Sequence, residues 1–143
     1  MYVSKLAVRN WMNFKDAQAN LGQRIFLIGP NASGKSNFLD CLRFLMELST
    51  DGLEPAVTKR GGVSSIRCLS ATRYSNIDID ITLASDNGAP MWNYRLIFNQ
   101  DKASRPVIRE EAVLDLQSNN KPAILNRPDE DDKSDPLRRR HHR

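Results

Sequence analysis

Histidine is all but missing from this chain: His141 and His142, beside the last residue, are the only two. Histidine-based acid–base or nucleophilic catalysis is therefore excluded from the body of the protein. Cysteine is nearly as scarce. Cys41 and Cys68 show no C-x-x-C spacing and no neighbouring histidine, so neither a zinc site nor a disulfide scaffold is indicated. No stretch approaches the ~20 apolar residues of a membrane span. Met1-Tyr2-Val3-Ser4-Lys5 lacks the pattern of a signal peptide, and a cytoplasmic protein is expected. Acids are absent from the last six residues, Arg138-Arg139-Arg140-His141-His142-Arg143. Outside them basic and acidic residues number 17 each. The isoelectric point near 9.3 is thus no mark of a nucleic-acid-binding face on the body. A length of 143 residues allows one domain with a core, and no internal repeat is visible.

What the chain does contain is Gly29-Pro30-Asn31-Ala32-Ser33-Gly34-Lys35-Ser36, which satisfies G-x-x-x-x-G-K-[ST], the P-loop or Walker A pattern. The flanks agree with it. Arg24-Ile25-Phe26-Leu27-Ile28 is an apolar run that reads as a buried strand. In Asn37–Leu48, Phe38, Cys41, Leu42, Leu45 and Leu48 recur at spacings of three and four, the pattern of a helix with one apolar face. Each residue type has its chemistry. Gly29 and Gly34 permit backbone conformations and close approaches that a side chain would obstruct. Successive N–H groups after Pro30, those of Asn31, Ala32 and Ser33 onward to Asn37, then form a nest around a β-phosphate at the helix N-terminus. Lys35 would neutralise the β- and γ-phosphates, and the Ser36 hydroxyl would ligate the Mg2+ between them.

Along the rest of the chain, Tyr2–Val8 alternates as a strand, and Arg9–Phe14 is turn-like with two aromatics. A short strand near Phe14–Ala19 precedes the Walker strand. Residues 53–65 read as a loop after the stop signal Ser49-Thr50-Asp51-Gly52. Ile77–Leu83, Trp92–Asn99 and Val107–Leu116 then follow as strands separated by short polar turns, which predicts an antiparallel meander rather than βαβ units. Asp78 and Asp80 are read as the solvated face of their strand rather than a metal pair. Trp11 is read as a packing residue rather than an adenine platform. From Asn126 onward the composition turns to Pro, Asp, Glu, Lys and Arg, and a disordered tail over 126–143 is expected behind a domain spanning 1–125.

Two strands, the Walker strand–helix unit and a meander, in this order, resemble the N-terminal lobe of ABC-type ATPase heads, in particular the SMC and RecF branch and ABC-like AAA ATPases of the OLD type. Leu27–Asp40 is similar to that branch's "GPNGSGKSN" followed by an apolar helix. Leu6–Phe14 is similar to its "I-x-N-F" opening, and Arg60-Gly61-Gly62 to a segment of its bacterial members. The fold so implied is an α/β P-loop NTPase lobe with an antiparallel β meander. The resemblance further implies ATP and Mg2+ as ligands, Arg9 and Asn10 near the nucleotide, and a second ATPase head as partner, with nucleic acid or a nuclease as further possible partners.

The chain departs from that pattern in two ways. Ala32 stands where the family has glycine. A Walker B strand ending Asp-Glu, a signature motif and a switch histidine are missing: Ala112-Val113-Leu114-Asp115 is followed by Leu116, and no glutamine lies between Gly34 and Asn99. The chain is therefore expected to be the N-terminal portion of a longer ATPase, cut short and unable to hydrolyse ATP alone. Its Walker strand, apolar on both faces, should then have fewer neighbours than it calls for and expose an apolar edge. The alternatives are a nucleotide-independent interaction module, a non-functional fragment, or a complete small P-loop enzyme such as a kinase, which the meander disfavours.

Overall fold

The computed structural model describes residues 1–71, 73–118 and 123–134. Its frame is a six-stranded sheet in the order β2-β1-β3-β4-β5-β6. The strands are β1 Tyr2–Trp11, β2 Phe14–Asn20, β3 Ile77–Ala84, β4 Pro90–Gln100, β5 Pro106–Asp115 and β6 Ala123–Arg127. Every ladder is antiparallel, including the β1–β3 pairing that closes over the helical insertion. The long helix α1 spans Lys35–Asp51, followed by the short helices α2 Leu53–Thr58 and α3 Val63–Ile66, and α4 covers Glu130–Ser134.

Period-two alternation decides which face packs. Leu6 and Val8 stand opposite Ile81 and Ile79, which in turn face Tyr94 and Leu96, so one apolar face crosses β1, β3 and β4. Onto it α1 lays Cys41, Phe44 and Leu48, all buried. Trp11, fully buried, meets Phe44 at 5.1 Å between ring centroids, and Phe44 stacks on Phe98 at 5.6 Å. Trp11 is thus the packing residue expected. The opposite face carries charge: Arg95 pairs with Asp78 at 2.9 Å and Glu110 at 3.7 Å, and Asn93 donates to Asp80 at 2.8 Å. The two aspartates are occupied by neighbours on that polar face, as read from the alternation.

Three expectations need correction. Residues 53–65 are not plain loop. Leu53, Ala56 and Val57 bury themselves at helical spacing between Gly52 and Gly62, both at positive φ, and Val63 and Ile66 do the same beyond. Residues 24–28 form no strand among the described residues. An apolar run of that kind needs a neighbour on each side, and the antiparallel sheet supplies none. Phe26 and Ile28 are 86% and 94% exposed, with Ile25 and Leu27 also exposed. The expected apolar surface is therefore present, as an unpaired segment rather than a sheet edge. Finally, the tail is not disordered where it is described: residues 123–127 pair with β5, and Arg127 and Asp132 are buried. A polar composition predicts disorder because it offers little apolar surface to bury, and here buried ion pairs take that place. The tail beyond Ser134, with the arginine- and histidine-rich run, lies outside the described residues.

Candidate functional site at the P-loop

The loop Gly29–Gly34 leads directly into α1, whose first residue is Lys35. Its turn depends on left-handed backbone at two places, Ala32 with φ 62° and Gly34 with φ 95°. Alanine accepts that conformation at a cost of about 1 kcal/mol, which accommodates the departure at Ala32. Gly34 has a stricter need. A Cβ there would stand 2.7 Å from Asn13 Nδ2 and 2.9 Å from Phe14 Cζ, so any side chain at Gly34 would force these two side chains of the β1–β2 turn to shift. Asn13 Oδ1 also accepts a hydrogen bond from Asn37 Nδ2 at 2.8 Å, and the Trp11 indole donates to the Asn37 carbonyl at 2.9 Å. The end of β1 thereby fixes the first turn of α1. Asn13 and Phe14 join the site by this contact. In the sequence they read only as part of a turn, because their proximity to Gly34 is set by a tertiary contact.

Lys35 folds back over the loop. Its ammonium donates to the carbonyl oxygens of Gly29 and Pro30, both at 2.6 Å, and lies 3.4 Å from Ser33 Oγ. Ser33 N donates to the Pro30 carbonyl at 3.4 Å, closing the turn through Asn31 and Ala32. Among the described residues no side chain caps the N-terminus of α1, and Ser36, the expected Mg2+ ligand, is exposed in its first turn. The donor set is therefore a free helix N-terminus, an ammonium and a hydroxyl on a glycine-shaped loop, which suits a polyphosphate with its cation. Among the described residues no three histidine, cysteine or acidic side chains gather as an independent metal site. The loop opens onto a groove lined by Phe14, Leu21, Ile25, Leu27, Phe38 and Lys35.

Arg9 and Asn10 sit elsewhere. Asn10 is buried in left-handed backbone, and its amide donates to the carbonyls of Tyr74 and Asn76 at 2.6 and 2.9 Å. Arg9 pairs with Asp16 at 3.4 Å and lies 5.1 Å over the Tyr74 ring. Both line a separate cavity of about 450 Å³, together with Lys15, Ser70 and Arg73. The structure thus brings Gly29–Asn37 together as one site and leaves Arg9 and Asn10 outside its lining. Asp115, the nearest imitation of a Walker B carboxylate, ends β5 opposite Trp92 and accepts from the Gln117 N–H at 2.9 Å, a local turn contact.

Arg60 explains the segment that resembled a family feature. Its guanidinium takes Asp40 by two bonds of 2.8 Å, Glu47 at 2.5 Å and the Ala56 carbonyl at 2.8 Å, and covers Phe44 at 5.2 Å. It clamps α2 to α1.

A glycine-rich loop runs here into a helix that packs on an antiparallel meander, and this unit falls within the match to a AAA-domain family. The chain belongs to the family described as AAA domain, putative AbiEii toxin, Type IV TA system, whose model matches residues 24–140. It is similar to the DNA replication and repair protein RecF of Picosynechococcus sp., with 30% identity over 92 residues, 62% of this chain and 24% of the relative. RecF of Trichodesmium erythraeum is 30% identical over 89 residues, covering 59% and 23% respectively. The matched part thus amounts to about a quarter of these relatives. A solved structure from work on ATP-driven dimerization and DNA-stimulated activation of SMC ATPases aligns at TM-score 0.49 and 15% identity, covering 76% of this chain and 68% of that one. Among the described residues no helix is long and apolar enough to cross a membrane.

Proposed function

We propose that this chain binds Mg-ATP through Gly29–Asn37 and forms the nucleotide-binding lobe of an ABC-like ATPase, with hydrolysis depending on Walker B and signature elements that other polypeptide supplies. The observation that carries this reading is Lys35 held over the loop at an uncapped helix N-terminus. On binding, its ammonium exchanges two carbonyl acceptors for charged phosphate oxygens, which make stronger hydrogen bonds. Ser36 would hold the cation through its hydroxyl. A second ATPase head, and nucleic acid or a nuclease as a further partner, belong to the same proposal, which the name of the RecF relatives supports for DNA. A cytoplasmic setting goes with it. The test is calorimetry of the full chain with Mg-ATP: the expected result is saturable heat that Lys35→Ala abolishes, and absence of heat with soluble wild-type protein refutes it.

A second reading, an interaction module that works without nucleotide, is favoured by one feature, the exposed segment Ile25–Ile28. It predicts complex formation that is indifferent to both ATP and Lys35→Ala.

A further inference from the structure

We propose that β6 and α4 form a strap that opens and closes as a unit over the β4–β5 end of the sheet, held shut by Arg127. Between Ala123 and Ser134 the only buried residues are Arg127 and Asp132, both charged. Ala123, Ile124 and Asn126 are exposed, and the ladder to β5 is short, running from Glu111 opposite Arg127 to Leu114 opposite Ala123 with an irregularity before its end. Apolar burial is therefore too small to hold the segment, and the adhesive is ionic.

The network is extensive. Arg127 grips Asp132 at 2.7 and 2.9 Å, and its third nitrogen reaches Glu111 at 3.1 Å. Glu111 in turn accepts from the Tyr94 hydroxyl at 2.9 Å. Burial raises the Tyr94 pKa, with the Glu111 charge adding to it, so the hydroxyl stays a donor. The Asp132 N–H donates to the Asp129 carboxylate at 2.8 Å and the Asp129 N–H to the Asp132 carboxylate at 3.3 Å, which starts α4 and presents the Asp132 carboxylate to Arg127. Both elements of the strap and β5 thus meet at one guanidinium, with β4 joined to it through Tyr94 and Glu111. Removing one charge from such a buried set is far costlier than never having formed it. The strap should let go as a whole rather than fray, baring the edge of β5.

This edge lies at the far side of the sheet from β2 and the P-loop, so the strap moves independently of nucleotide contacts. The test is amide hydrogen exchange on the full chain. In the unmodified protein the amides of 123–134 should exchange well before those of β3. Asp132→Asn should speed the strap by about 100-fold, the scale of a broken buried pair, with α1 and β1–β4 unchanged. Equal exchange of strap and β3 in the unmodified protein, or acceleration spread over the whole sheet in the variant, overturns the proposal.

Discussion

Arg60 holds Asp40 through two hydrogen bonds of 2.8 Å, so the residue before the Gly61-Gly62 turn grips the second turn of the P-loop helix. The guanidinium is only 7% exposed, and its second carboxylate, Glu47, lies on the same helix. A bidentate fork of this kind fixes an angle as well as a distance. It sets the angle at which α2 rests on α1.

Arg60→Ala is expected to destabilise the fold by about 3 kcal/mol, since it leaves two carboxylates facing a buried gap. Arg60→Lys should recover less than half of that, because an ammonium cannot reproduce the fork. Urea unfolding followed by tryptophan fluorescence measures both.

Gly34→Ala should weaken Mg-ATP binding about tenfold or more. The added methyl meets Asn13 and Phe14 inside 3 Å and holds φ in the left-handed region, and a strain of about 1–2 kcal/mol corresponds to that factor. Titration calorimetry reads the loss. Gly22→Ala, where the nearest atom is 3.5 Å away and φ is ordinary, is the control expected to bind normally.

Burial, helped by the Asp40 charge, pushes the Cys41 thiol up to about 12. The native state therefore holds its proton more tightly than the unfolded chain, whose thiol ionises near 8.5. The resulting stability is complete below pH 8.5 and is lost as pH rises from there toward 12. Denaturant midpoints should fall over that window, and Cys41→Ser should flatten the slope. Thiol reagents at pH 8 should label Cys41 only after unfolding.

Replacing Phe26 and Ile28 by serine is expected to leave the unfolding free energy within about 0.5 kcal/mol, because both side chains already face solvent. Sedimentation velocity should show less self-association than in the unmodified chain. A large loss of stability would mean that these side chains are buried in solution.

The elements that rest on local pattern were readable in the sequence. Strict alternation placed Ile77–Leu83, Trp92–Asn99 and Val107–Leu116 within a residue or two of β3, β4 and β5, and the three-four spacing placed α1. The P-loop was legible because glycine, lysine and serine at fixed offsets have a chemical reason to coincide. What escaped depends on distant partners. Ile25–Ile28 has the composition of a central strand, but composition cannot supply neighbours. Arg127 and Asp132 looked like solvated charges because their burial depends on Glu111, 16 residues before Arg127. Asn10 carries no signal that its amide is spent on the carbonyls of Tyr74 and Asn76.

The charged outer face of the sheet makes the lobe respond to its solvent differently on its two sides. Arg95, Asp78, Glu110, Arg9 and Asp16 present both signs in alternation there. A contact made across that surface weakens as ionic strength rises. The groove below Phe14, Leu21 and Phe38 is largely apolar, and an apolar contact made in it is little weakened by chloride. Titrating sodium chloride thus separates the two sides of the molecule without a single mutation.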